Sequence, residues 1–307
     1  MADHAPAPAA AAGTISLGDD LTVNRLGFGA MRITGVGVWG PPPDRTQAVQ
    51  VLRRAVDLGV QFIDTADSYG PDVSELLIAE ALRPYPDDLV VATKGGYLRD
   101  GPDQWRPDGR PEHLRSACEG SLRRLGVERI DVYQFHVPDP SVPFEESVGA
   151  LVALRDEGKI AHIGLSNVDA DQVRAALALT PVVSVQNRYN HAARNSDPVI
   201  ALAEELGFAF IPWAPVGGRR PGEGLALQTV ALRRGVTPVQ VAIAWQLARS
   251  PRILPIPGTG SVEHLEQNVA AAAVELTEQD RADLSARPRP SRSPRRIAGS
   301  LRRRMSR

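Results

Sequence analysis

The chain has 307 residues, 43% of them hydrophobic and 23% charged, with a formal net charge of −1. That composition suits a soluble globular protein with a sizeable core, and the length suits either two domains or one α/β barrel of about 250 residues. A lone cysteine, Cys118, excludes an intramolecular disulfide and favours a reducing cytoplasm, while no apolar run reaches the roughly 20 residues that span a bilayer.

Residues 1–13 (MADHAPAPAAAAG) read as a disordered Ala/Pro leader, without the basic start and Leu-rich centre of a signal peptide. ISLGDDLTVN (15–24) reads as a β-hairpin around Gly-Asp-Asp. Strand-like apolar runs follow at 25–31, 61–66, 89–94, 130–136, 159–167, 182–187, 208–215 and 253–258. Helical patterns alternate with them at 45–59, 74–83, 111–126, 144–158, 169–179, 196–207, 237–249 and 262–272, and several open on Ser, Thr or Asp and stop at Gly. Cys118 falls in one of these helical patterns and reads as a small buried hydrophobe. Eight alternating units imply a parallel sheet, because each crossover needs a helix. The expected fold is therefore a (β/α)8 TIM barrel over residues 14–286, with an N-terminal β-hairpin. An open doubly wound sheet is the competing reading, weakened because no strand runs into G-x-G-x-x-G at a helix start. Residues 287–307 carry nine Arg and no acid, which leaves −10 on residues 1–286 when this +9 is taken from −1. Such a tail suits an anionic partner, nucleic acid or membrane, but without an aromatic residue or a folded motif it reads as a disordered basic extension.

Four polar residues stand where apolar strand runs stop or just beyond. Asp64 and Tyr69 lie in QFIDTADSYG (61–70), Lys94 in LVVATKGG (89–96) and His136 in IDVYQFHVPD (130–139). Taken singly they have plain readings: a turn aspartate, a loop aromatic, a rim cation, a core histidine. Lys94 is one of only two lysines, the other being Lys159, so arginine supplies nearly all the surface positive charge. Lysine is also the cation whose pKa can be tuned. In a barrel, chemistry gathers at the C-terminal ends of the strands, so all four can share one mouth. The reaction that needs them together is hydride transfer to a carbonyl. Negative charge then develops on oxygen and a proton must follow. A phenol is a weak acid at neutral pH, and an adjacent ammonium lowers its pKa. A carboxylate keeps that ammonium charged, and a histidine can orient the carbonyl. No side chain supplies hydride, so a cofactor is required, and no metal is expected.

DTADSYG, ATKGG and YQFHVPD, in that order, together with GLSN (164–167), SVQNRYN (184–190) and IPGTGSVEHLEQN (256–268), resemble the aldo-keto reductases over residues 15–285. The resemblance implies a (β/α)8 barrel that binds NADPH and reduces aldehydes or ketones. Tyr69 would be the proton donor, Lys94 and Asp64 its tuners, and His136 the substrate orienter. By the same resemblance Ser166, Asn167 and Gln186 would hold the nicotinamide carboxamide and Trp213 would stack on the ring, although barrel-core packing also explains a tryptophan there. Gly29, Ala30, Met31, Asp64, Ala214, Pro215 and Val216 complete that end of the cofactor. Pro257, Gly258, Thr259, Gly260, His264, Gln267 and Asn268 would surround its phosphates at a helix start, where free N–H groups favour anions. Gly258 and His264 stand where the family often presents Lys and Arg, so NADPH is expected ahead of NADH by less than the fold alone suggests. Arg219 and Arg220 offer replacement charge, or simply a solvated loop. Trp39, Tyr97 and Trp105 are loop aromatics expected, with Tyr69 and His136, around the substrate. The expected partner is a small carbonyl compound and the expected state a monomer. A second reading is a nicotinamide-binding regulatory subunit resembling the channel-associated β subunits, with the Arg-rich tail as its docking element.

Overall fold

The computed structural model describes residues 7–217 and 224–285. The leader's first six residues, Arg219 and Arg220, and the tail 287–307 lie outside that range. A hairpin comes first, with β1 (Thr14–Leu17) antiparallel to β2 (Leu21–Asn24). Alternation puts Ile15, Leu17 and Val23 on one face, and all three are buried. They close one end of the barrel against Phe62, Val90, Ala92, Val132, Ala209 and Ile211.

The barrel strands are β3 (Phe28–Gly29), β4 (Phe62–Asp64), β5 (Val90–Gly95), β8 (Ile130–Phe135), β9 (Ile160–Ser166), β10 (Ser184–Arg188) and β11 (Ala209–Trp213). They form one parallel sheet in the order β3-β4-β5-β8-β9-β10-β11. The expected eighth strand is not a regular one. Pro255 and Pro257 lack the N–H that a ladder needs, and the segment closes the circle with isolated bonds instead. Phe210 N donates to Arg252 O (2.7 Å), Leu254 N to Phe210 O (2.9 Å) and Gly27 N to Pro255 O (2.9 Å). Next to this seam the backbones of Gly29 and Gly258 touch. A Cβ on Gly258 would stand 2.3 Å from Gly29 O, so only glycine fits.

Outside the sheet lie α1 (Arg45–Asp57), α2 (Val73–Leu82), α3 (Pro111–Leu125), α4 (Phe144–Asp156), α5 (Ala170–Leu177), α6 (Asp197–Leu206), α7 (Leu225–Arg234), α8 (Pro238–Arg249), α9 (Val262–Ala270) and α10 (Glu278–Ser285). Asp169 with Gln172 and Thr237 with Gln240 make reciprocal capping boxes at the starts of α5 and α8. Cys118 is fully buried in α3, and burial pushes its thiol up to about 12. No helix among the described residues is long and apolar enough to cross a membrane.

Three readings need correction. Pro8–Ala12, placed in a disordered leader, form a short 3-10 helix. Ala9 is fully buried and its N–H bonds Leu58 O at 3.0 Å. Residues 95–110, read as a loop, contain a second hairpin of β6 (Tyr97–Gly101) and β7 (Gln104–Pro107). Helices α7 and α10 were not anticipated. Helix α10 buries only Asp280 and Leu284, and ion pairs from Arg233 and Arg234 to Asp280 fasten it to α7. Such a helix has too narrow an apolar stripe to announce itself.

The two-residue period of the strands positions the site. The hairpin end of the barrel lumen is apolar, with Phe62, Val90, Ala92, Val132 and Ala209. Two or four residues further along the same strand faces come Asp64, Lys94, Gln134 and Trp213. One end of the lumen is thus a sealed core and the other a polar mouth.

Candidate active site

The mouth opens into a cavity of about 590 Å³. Asp64, Tyr69 and His136 line it, and Lys94 lies fully buried directly beneath them. Lys94 Nζ donates to Asp64 Oδ1 (2.7 Å), to Thr65 O (2.8 Å) and to Tyr69 Oη (3.4 Å), which uses all three ammonium protons. Asp64 Oδ2 accepts from Gln134 Nε2 at 2.9 Å and Gln186 Nε2 at 2.7 Å. A buried ion pair costs desolvation unless its remaining lone pairs are satisfied, and the two amides satisfy them here.

Burial pushes the Tyr69 hydroxyl above its ordinary range. Lys94 pulls it back in part, and Asp64 pushes it further up. The expectation that Lys94 lowers this pKa overall is therefore corrected: the ammonium acts in that direction, and desolvation outweighs it. For Lys94 the balance is opposite. Burial alone would lower its pKa, but Asp64 and Tyr69 more than offset it, and the amine is held above its usual value and charged. His136 is held well below the usual imidazole range by burial first and then by Lys94 and Arg99. Its ring is neutral, with Nδ1 3.5 Å from Ser68 Oγ.

One wall of the cavity is aromatic. Tyr97 and Trp105 come from the β6–β7 hairpin, and their rings meet edge-on at 5.3 Å between centroids. Tyr97 also lies 4.6 Å from the His136 ring, and Trp105 6.3 Å from Tyr69. Trp39 is not on this wall. It is 36% exposed and pairs with Gly70 across a short parallel bridge.

The opposite wall is built from the ends of β9, β10 and β11. Ser166, Asn167, Gln186, Trp213, Ala214, Pro215 and Val216 all line it, with Gly29, Met31 and Gly258 at the seam. Asn167 takes a left-handed conformation (φ 57°), which Asn tolerates better than most residues. Its Nδ2 donates to His136 O and Ser166 Oγ, and its Oδ1 accepts from the Trp213 indole at 3.0 Å. Trp213 is half-buried at the wall instead of sealed in the core, and its ring has the Arg188 guanidinium 5.8 Å away. Ala30, Pro257, Thr259, Gly260, His264, Gln267 and Asn268 do not line the cavity. Ala30 is in the core. Pro257, Thr259 and Gly260 occupy the seam, His264 lies in the first turn of α9, where Ser261 caps by accepting from His264 N, and Gln267 and Asn268 lie further along that helix.

Sequence reading missed Gln134, Arg99, Arg32, Val38 and Asp103. Gln134 had a signal, since it is a polar residue in an otherwise apolar strand, in phase with His136. Arg99 had none, being one of many arginines. Arg32 and Asp103 line the cavity, and neither has an ion-pair partner among the described residues.

The order of these parts, with an Asp and a Lys at successive strand ends and a Tyr on the loop between them beside an open cleft, agrees with the comparison with known proteins. The model of the aldo/keto reductase family matches residues 25–286. The chain belongs to the aldo/keto reductase family. Among relatives of this chain, an uncharacterized oxidoreductase of Schizosaccharomyces pombe is 47% identical over 272 residues, covering 88% of each chain. The pyridoxine 4-dehydrogenase of Escherichia coli is 46% identical over 272 residues, covering 87% of this chain and 95% of its own. Among solved structures, an aldo-keto reductase from Klebsiella pneumoniae in complex with NADPH superposes with a TM-score of 0.74 at 29% identity, covering 88% of this chain and 93% of that one.

Proposed function

We propose that this aldo/keto reductase interconverts carbonyl compounds and alcohols with NADP(H), with Tyr69 as the general acid. The observation that carries the reading is Lys94 Nζ lying between Asp64 Oδ1 and Tyr69 Oη at the floor of an open cleft. The cofactor wall fits a nicotinamide carboxamide by its hydrogen-bond inventory. A carboxamide offers two N–H donors and one oxygen acceptor. Both Gln186 amide protons are already directed at Asp64 and Gln134, which leaves its Oε1 to accept. Asn167 Oδ1 keeps a lone pair beyond its bond to Trp213, and the Ser166 hydroxyl, which accepts from Asn167, keeps its own proton to donate. Trp213 offers a broad rigid face beside them. At the seam, Arg32 supplies a cation with no ion-pair partner among the described residues, suited to phosphate.

NADPH, when bound, supplies the hydride to the carbonyl carbon. The substrate oxygen, as it gains negative charge, takes the proton of Tyr69 Oη. Lys94, held charged, stabilises the phenolate that remains, and Asp64 keeps Lys94 in place. Neutral His136 carries one ring N–H, a donor suited to orienting the carbonyl oxygen. The aromatic wall of Tyr97 and Trp105 suits a planar ring. With the pyridoxine 4-dehydrogenase relative, this makes pyridoxine and its 4-aldehyde the first substrate pair to try.

The test is loss of reduced-nicotinamide absorbance with NADPH and NADH, run against a panel of aldehydes and ketones that includes pyridoxal. Turnover with NADPH that disappears in Tyr69→Phe supports the reading. Cofactor binding with no turnover on any carbonyl would replace it with the regulatory-subunit reading.

A further inference from the structure

Arg99 sits on β6, behind the aromatic wall, and all five of its N–H donors end on backbone carbonyls. Nε donates to Gln104 O (3.0 Å), Nη1 to Val38 O (2.9 Å) and Ser68 O (2.7 Å), and Nη2 to Gly37 O (2.9 Å) and Gly101 O (3.3 Å). Three segments far apart in sequence therefore meet on one guanidinium: 37–38, the loop that carries Tyr69, and the tip of the β6–β7 hairpin. The face of the same group lies 3.7 Å from the Trp105 ring centroid, a close cation–π stack.

Both contacts lead to the reacting groups. Ser68 immediately precedes Tyr69, and its hydroxyl is the polar group beside His136 Nδ1. Trp105 is edge-on to Tyr69 and to His136, at 6.3 and 6.4 Å. The loops are joined elsewhere too, by Asp103 N to Gly37 O and Gly70 N to Val38 O, but each of those bonds joins only two of them. We propose that Arg99 is a positioning residue: it locks the Tyr69 loop, the 37–40 loop and the aromatic hairpin into one body, and so fixes the proton donor against the substrate wall. A planar fork is required, because a lysine offers three donors from one point and cannot reach carbonyls on opposite sides of a plane. The proposal rests on the reductase reading for its kinetic arm only.

The experiment has two arms. In the first, Arg99→Lys keeps the charge and loses the fork. It is expected to lower kcat for carbonyl reduction ~10–100-fold, the scale of a misplaced reacting group. The NADPH dissociation constant should stay within about twofold, since Arg99 touches nothing on the β9–β11 wall. An unchanged kcat, or an equal loss of cofactor affinity, overturns the proposal. The second arm needs no turnover. Hydrogen exchange of the Gly40, Gly70 and Asp103 amides, one from each segment, is compared between wild type and Arg99→Lys. Their own backbone bonds remain in the variant, so a lock made by Arg99 predicts that protection falls at all three together, by about tenfold or more. Protection unchanged in the variant, or lost in one segment alone, overturns the lock whatever the enzyme does. If no carbonyl is reduced but the three amides lose protection together, the reductase reading falls and the lock stands.

Discussion

Gln134 donates its amide to Asp64 Oδ2 at 2.9 Å, on the carboxylate oxygen opposite the one that Lys94 holds. Both residues are buried, and they come from β8 and β4, two strands apart in the sheet with β5 between them. Gln134→Leu removes one of two amide bonds to a buried carboxylate, an expected loss of roughly 1–3 kcal/mol. Gln134→Glu should be worse than Leu, because it sets a second carboxylate against Asp64. Urea denaturation midpoints of the three proteins check the order, and a Glu variant as stable as the Leu variant would contradict it.

Lys94→Met leaves Asp64 charged, buried and without its cation. Breaking a buried pair on one side costs about 3–5 kcal/mol. Tyr69→Phe removes only a hydroxyl whose bond to Lys94 is long, so its stability should change by less than ~1 kcal/mol. The two variants are thus expected to be equally inactive and unequally stable. Thermal unfolding alongside carbonyl reduction separates them, and equal melting temperatures would refute the assignment of Lys94 to both jobs.

The pH profile should be flat near neutrality. His136 is held well below the usual imidazole range, and Tyr69 above the usual phenol range. A neutral His136 and a protonated Tyr69 therefore coexist from about pH 6.5 to about 9, so kcat for reduction should hold a plateau there. Alcohol oxidation needs the phenolate and should rise with pH across the same interval. A reduction rate that climbs through the ordinary histidine range would show His136 titrating at its usual value.

Asp67 is a second buried carboxyl near the site, and its Oδ1 has no hydrogen-bond partner among the described residues. Burial, then repulsion from Glu75, raise its pKa from 3.8 to about 8, while Arg124 and the Ser68 N–H oppose the rise. Folding thus takes up a proton between those values. The contribution to stability is full below about pH 4, shrinks as pH climbs through the interval and is gone above about pH 8. Asp67→Asn mimics the protonated acid at every pH. Its stability relative to wild type should grow by ~2 kcal/mol or more from about pH 5 to about pH 8, well under the ceiling of roughly 1.4 kcal/mol per pH unit. Parallel denaturant titrations at the two pH values measure it, and a constant difference would show Asp67 ionised throughout.

The substrate half of the cleft should reject carboxylates. Arg99 has no N–H left to offer a carboxylate, and its positive charge is set against the negative charge of Asp103, also on the cavity wall. Benzaldehyde is expected to be reduced with kcat/KM about tenfold or more above 4-carboxybenzaldehyde, a penalty of ~1.4 kcal/mol for a carboxylate that leaves water and meets no free donor. Asp103→Asn should narrow that ratio. Equal rates for the two aldehydes in the wild type would show that this penalty is absent.

What the chain determined by itself follows from short-range periodicity. Apolar runs ending in Asp64, Lys94 and His136 mark strand ends, and the alternating helices force those strands to be parallel. The barrel and the four residues Asp64, Tyr69, Lys94 and His136 at its mouth were therefore legible before any coordinates. Proline chemistry in the last strand was legible too, though not its effect on closure. Tertiary structure decided what depends on partners distant in sequence. Gln134 and Gln186 meet on Asp64, Arg99 gathers carbonyls from three segments, and desolvation overrides Lys94 in setting the Tyr69 hydroxyl. Periodicity reports which face of a strand a residue occupies. It carries no information about which other face lies across the lumen or how much water is left between them.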